Sequence, residues 1–198
     1  MPIDRQHPGH RRLPSTAVSL ALLALFVSAF AAPYAGATTV LRLGDDELID
    51  AAHLVVVGVC TASAPVRAGG RLLTRAELTV EAAWKGRSAR TLNVILPGGV
   101  DRHAVPPIAE VWPGAPTLAV GERAVLFLRP AADAGVWTVV GFSQGKLELA
   151  ARGDGGVTVG VSRGAPPLAA FAARVRARVE ATGGEPGAVV DGDGEAAP

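Results

Sequence analysis

The chain has 198 residues, 49% of them hydrophobic and 19% charged, with a formal charge of +1. That supports one domain with a real core and excludes the strongly basic field that recruits nucleic acid. A single cysteine, Cys60, excludes an internal disulfide.

The first segment reads as a targeting signal. Arg5, Arg11 and Arg12 precede the apolar stretch "AVSLALLALFVSAFAA", and Ala35-Gly36-Ala37 supplies a small-x-small cleavage site. This is the pattern of a secretory signal peptide over residues 1–37, with Thr38 as the expected mature N-terminus. Cleavage removes Arg5, Arg11, Arg12 and Asp4, which turns the formal charge of +1 into −1. The expected location is therefore periplasmic or extracellular, with membrane contact only through an uncleaved signal. Cys60 sits in "LVVVGVCTA", where a small apolar residue fits, and is read as an inert core thiol.

Residues 44–53, "GDDELIDAAH", read as a short helix with Asp45, Asp46 and Glu47 in its first turn, where the dipole favours acids. His53 is expected to end it. "LVVVGV" then reads as a strand buried on both faces. Strand two is the best patterned. Leu72, Thr74, Ala76, Leu78, Val80, Ala82 and Trp84 share one parity, and Arg75, Glu77, Thr79 and Glu81 share the other. Ala68-Gly69-Gly70 before it predicts a hairpin.

"TLNVIL" is strand three, "ERAVLFLR" strand four and "VWTVVGF" strand five. "KLEL" and "VTVGV" form a further hairpin around Gly153-Asp154-Gly155-Gly156. Many short strands with turns between them argue for a closed antiparallel barrel or a sandwich, occupying residues 38–164. Residues 165–182 form an amphipathic C-terminal helix, with Leu168, Phe171, Val175 and Val179 on one stripe and Arg174, Arg176 and Arg178 on a solvated face. Residues 183–198 read as a disordered tail.

Taken together, "TTVLRLGDDELIDAAHLVVVGV", "LTVEAAWKG", "LPGG", "PGAPTLAVGERAVLFLR" and "VVGFSQGKLEL" resemble a family of exported, uncharacterised bacterial proteins over roughly residues 38–150. The layout is also similar to the OB-like barrel of netrin and metalloproteinase-inhibitor modules. Those modules rely on an N-terminal cysteine and several disulfides, so their inhibitory activity does not carry over. The implied fold class is mainly β: a small antiparallel β-barrel, OB-like, with a short N-terminal helix and a C-terminal amphipathic helix.

Two hydrolase patterns need testing. Gly141-Phe142-Ser143-Gln144-Gly145 spells G-x-S-x-G, but His7, His10, His53 and His103 all precede Ser143 and a strand follows it. An α/β-hydrolase needs the opposite on both counts. His53, Asp101 and Ser143 do stand in the order of a chymotrypsin-like triad. About 160 mature residues is short for two barrels, and Phe142 and Gln144 replace the glycines expected around the serine. That triad is the alternative to the main reading. In the main reading Ser143-Gln144-Gly145 form a bulge or sharp bend that rephases the strand, bringing both Phe142 and Leu147 to the core.

Asp101, His103 and Glu110 share one loop but make a poor metal set, and neither metal nor cofactor is expected. The loop itself, "PGGVDRHAVPPIAEVWPGAPTLAVG", is the region of most functional interest. Its prolines stiffen it around Trp112. Either it presents a binding surface through Trp112, His103 and Asp101, or Ile108, Val111 and Trp112 plug one barrel end. The expected function is an exported, non-enzymatic binding module whose partner is an envelope protein or glycan, not nucleic acid.

Overall fold

The computed structural model describes residues 42–190 apart from 154, 161 and 163. The expected signal peptide lies outside the described residues, as do Asp154 and the end of the expected tail. Among the described residues there are two α-helices, α1 (Asp45–Ala51) and α2 (Leu168–Ala181), and one 3₁₀ turn; the rest of the regular structure is strand. No described helix is long and apolar enough to cross a membrane.

The strands are β1 (Leu54–Ala68), β2 (Arg71–Lys85), β3 (Arg87–Ala89), β4 (Thr91–Pro97), β5 (Gly99–Asp101), β6 (Ile108–Glu110), β7 (Arg123–Pro130), β8 (Val136–Val139), β9 (Lys146–Ala151), β10 (Val157–Val159) and β11 (Ala188–Val190). Seven of them form one sheet in the order β1-β2-β4-β8-β7-β9-β10, and β1 also pairs with β7. Strands β1, β2, β4, β8 and β7 thus each pair with two of the others. The expected antiparallel pattern is broken once in this sheet. Strands β4 and β8 run parallel, with Val94 beside Trp137, because β7 is laid down between them in sequence and pairs with β8 as its antiparallel neighbour.

The β1–β2 hairpin forms as its sequence predicts. Gly69 and Gly70 turn it with φ of 57° and 76°, the positive values a tight two-residue turn demands and only glycine supplies cheaply. The apolar parity of β2 is the buried one, with Leu72, Ala76, Leu78, Val80 and Trp84 all inside. Three register irregularities bend the pair, at Val55/Val56, Val57/Gly58 and Cys60/Ala62. Ala76, Leu78 and Val80 therefore join one core cluster and Trp84 the other.

Those two clusters define the layers. One packs between residues of β1, β2, β4, β7 and β8 and gathers Val56, Cys60, Leu78, Val94, Leu126, Leu128 and Val139. The other lies beneath the helices and gathers Ile49, Val55, Val57, Trp84, Phe127, Phe171 and Val175. Strands β1 and β7 feed both, which is why "LVVV" and "AVLFL" are continuous apolar runs. The α2 stripe docks as expected: Phe171, Val175 and Val179 are buried, and the Phe171 and Trp84 rings stand 6.1 Å apart, centre to centre. The arginines of α2 are not simply solvated. Arg174 pairs with Asp45 and Arg178 with Asp50, fastening α2 to α1.

Three other expectations are corrected. Helix α1 stops at Ala51, before His53, whose N–H joins β7 by donating to Leu128 O at 2.8 Å. The cation at the helix C-terminus is Lys85, whose Nζ donates to Ile49 O at 2.6 Å. Partial burial there pushes the Lys85 ammonium below its ordinary range, and Asp50 opposes that fall.

Residues 184–190, expected in the disordered tail, fold back on the sheet. Gly86 N–H donates to Glu185 O at 2.9 Å, and β11 pairs parallel with β3.

Strand β8 ends at Val139 rather than running on to Phe142. Gly141 and Phe142 both take positive φ, 66° and 57°, and a single 3₁₀ turn covers Phe142–Gly145. Of the expected bulge or sharp bend it is the bend that occurs, as this turn, and it rephases the strand. Leu147 and Leu149 reach the helix-side cluster, but the core residue before the turn is Val140, and Phe142 stands 41% exposed. Gly145 is required by close approach: an added Cβ would lie 2.0 Å from Val140 O.

Candidate binding site

The 25-residue segment between β4 and β7 folds into a small hairpin and a return arm. Strands β5 and β6 pair antiparallel, with Val100 beside Ala109, and residues 102–107 form the tip, which includes a cis Val105-Pro106 peptide. Asp101 holds the near side of the tip. Its Oδ1 accepts the N–H groups of His103 and Ala104, each at 3.1 Å, and its Oδ2 accepts from Arg67 at 3.4 Å. Desolvation raises the Asp101 carboxyl, but the two N–H donors and Arg67 outweigh it and hold it below the usual carboxylate range.

Glu110 holds the far side. Its Oε2 accepts Leu72 N–H at 2.7 Å, and its Oε1 accepts the Trp112 indole N–H at 2.8 Å. These two donors, in that order, pull its carboxyl below the ordinary range, with Arg71 and Arg67 adding to them. The Arg71 guanidinium lies over the Trp112 ring, 4.7 Å from its centre.

The return arm is tied down as well. Leu118 enters the inner core. Lys146 pairs with Glu122 and donates to Thr117 O at 2.6 Å, and Gly114 O accepts the Ser143 N–H at 3.0 Å.

This geometry separates the two roles proposed for the loop. The residue that plugs the core is Leu118. Ile108 and Val111 are exposed, Val111 by 84% and the tip residue Val105 by 99%. Trp112 is half-buried and belongs to neither core cluster. It acts as a brace, edge-bonded to Glu110 and covered by Arg71. His103 is exposed, with its backbone engaged by Asp101. The sequence reading missed Glu110 as the organiser of the loop. Its one signal was the spacing Glu110-x-Trp112, which places acid and indole on the same side of an extended segment.

The triad residues are not brought together. His53 directly precedes β1, while Asp101 is bonded to Arg67 near the other end of that strand, fourteen positions further along the chain. Fourteen residues of strand run to roughly 46 Å of backbone, which even when bent keeps the two side chains beyond hydrogen-bond reach. Ser143 lies in the exposed 3₁₀ turn and leads into strand β9, without the helix of a nucleophile elbow. No cluster of three metal-ligating side chains occurs among the described residues.

Compared with protein families, curated proteins and solved structures, the chain gives no match.

Proposed function

We propose that this protein is an exported, non-enzymatic binding module, akin to the exported bacterial proteins it resembles, whose loop over residues 98–122 engages a protein of the cell envelope. Export rests on the signal pattern of residues 1–37. The circuit β1-β2-β4-β8-β7-β1 supports a closed, OB-like barrel as the scaffold.

The observation that carries the reading is the pairing of rigidity with display. Asp101, Glu110, Leu118 and Lys146 fix the loop at four points, yet Val105 and Val111 stand out in water. Exposed aliphatic side chains on a fixed loop lose little entropy on binding and gain by desolvation. Between the two partner classes, a protein is favoured over a glycan. Sugars stack on open aromatic faces, and the one aromatic of the loop is already covered by Arg71.

The test is capture from envelope extract by photo-crosslinking at position 108. A Val105→Asp/Val111→Asp variant is expected to keep the wild-type melting temperature and to lose the crosslinked protein. Unchanged crosslinking by that variant would remove the loop as the contact surface.

A further inference from the structure

A second concave surface lies near the tip of the β1–β2 hairpin, open between that tip and the β7–β8 loop. It is a cavity of about 480 Å³ with Arg67, Arg75, Arg129 and Asp133 on its rim, within the size range of ligand pockets. Leu73, Ile95 and Val136 line it together with Thr138. The pairing registers align it. Arg75 lies beside Ile95, Ile95 beside Thr138, and Thr138 beside Arg129. These four residues form one cross-strand row, with an arginine at each end and an apolar centre.

The two end arginines are chemically available. Arg67 is engaged by Asp101, but the side chains of Arg75 and Arg129 have neither ion pair nor hydrogen-bond partner among the described residues, and both residues are exposed. Another cavity, about 560 Å³ between α1 and α2, differs on this point: its arginines already meet Asp45 and Asp50.

We propose that the row Arg75-Ile95-Thr138-Arg129 is a binding site for an extended acidic peptide segment of a partner protein. Two carboxylates four residues apart would meet the two arginines, and the apolar side chain midway between them would rest on Ile95. The spacing fits. Three strand-to-strand steps separate the end residues by about 14 Å, and four residues of extended peptide span about 13 Å. Arginine presents the paired N–H groups that a carboxylate takes in bidentate fashion.

The lining argues for peptide over other polyanions. No aromatic side chain lines the cavity, so neither bases nor sugar rings find a stacking surface. Its floor is mostly apolar, which leaves glycan hydroxyls without partners. Asp133 on the rim interrupts the run of positive charge, which suits two spaced carboxylates better than a uniform run of phosphates. Arg67 on the rim links this site to the loop through Asp101, but neither arginine of the row takes part in that link.

The test is an NMR titration of the purified, isotope-labelled protein with the capped peptide Glu-Ser-Leu-Ser-Glu. Controls are the same peptide with Gln for both Glu, and trigalacturonate. Expected are shifts of the Arg75, Ile95, Thr138 and Arg129 amides by the acidic peptide and none by the Gln peptide. Arg75→Gln and Arg129→Gln should each weaken binding roughly tenfold. Arg75→Lys should fall between, because it keeps charge but loses the fork. The Val105→Asp/Val111→Asp variant should bind the peptide as the wild type does, which separates failure here from failure of the loop. Equal binding of the Gln peptide, unchanged affinity in both Gln variants, absence of shifts at millimolar peptide, or tighter binding of trigalacturonate would each overturn the proposal.

Discussion

The two halves of strand β1 are held in place by different physics. The first half, Leu54 to Cys60, is buried on both faces, between the inner core and the layer under the helices. The second half, from Thr61 onward, is almost wholly exposed, and the loop beside it is fastened by carboxylates: Asp101 to Arg67, and Glu110 to the backbone of Leu72. Apolar burial depends weakly on pH and salt, whereas a carboxylate's ion pairs and the charge assistance of its hydrogen bonds are lost as it is protonated. One strand thus joins a permanent anchor to a conditional clasp, and the surface proposed for binding sits at the conditional end.

The contrast breaks most visibly at the anchored end. Phe171→Ala removes a buried ring from beneath Trp84 and should cost about 3–5 kcal/mol in a denaturant melt. A cost near zero would mean that α2 does not hold the anchored half. Gly145→Val forces a side chain against Val140 O and should cost about 1–3 kcal/mol by overpacking; an unchanged midpoint would show that the 3₁₀ turn yields freely.

At the clasped end the expected effects are local. Glu110→Gln should speed amide exchange at Leu72 and proteolysis within residues 102–107 while leaving the Val55 amide as protected as before. Acid should do the same to the wild type. The folded-state pKa of Glu110 lies below the ordinary glutamate value near 4.3. Its stabilisation is therefore complete above that value and is lost as pH falls through the lower, folded one. Asp101 shifts in the same direction and adds to the loss. Exchange at Leu72 that is insensitive to pH between 6 and 3, once corrected for intrinsic chemistry, would remove the clasp. The smallest effect belongs to Ser143→Ala, which should alter neither stability nor exchange at either end. A large loss would give that hydroxyl a role its exposed position does not suggest.

The anchored half was the more legible in sequence. Seven alternating positions in β2 with two glycines before them leave little choice but a hairpin, and four stripe positions in α2 state which face it buries. What escaped reading depends on partners remote in the chain. Residues 188–190 are too few to announce a strand and become one only because β3 offers an edge. Val140 and Phe142 alternate like strand residues, yet the left-handed pair Gly141-Phe142 ends the strand, a choice no period reveals. Within the loop, the prolines and Trp112 marked the region, but the assignment of core contact to Leu118 rather than Ile108 required the tertiary path. Arg75 and Arg129 each looked like an ordinary outward charge. Only the register across β2, β4, β8 and β7 places them in one row.

Because β1 carries partners on both edges, its completion also has an order in time. The β2 edge is supplied at once, across a two-residue turn, but the other edge waits for Arg123–Pro130, so that Val55 meets Phe127 only after about seventy further residues have emerged. Until then a continuous run of valines is half-paired and uncovered. Contacts so distant in sequence form slowly, since the intervening chain must close its loop first. The nascent protein should pass through a hairpin state with one sticky border, the species most prone to associate with its own copies and the one a holding chaperone would recognise.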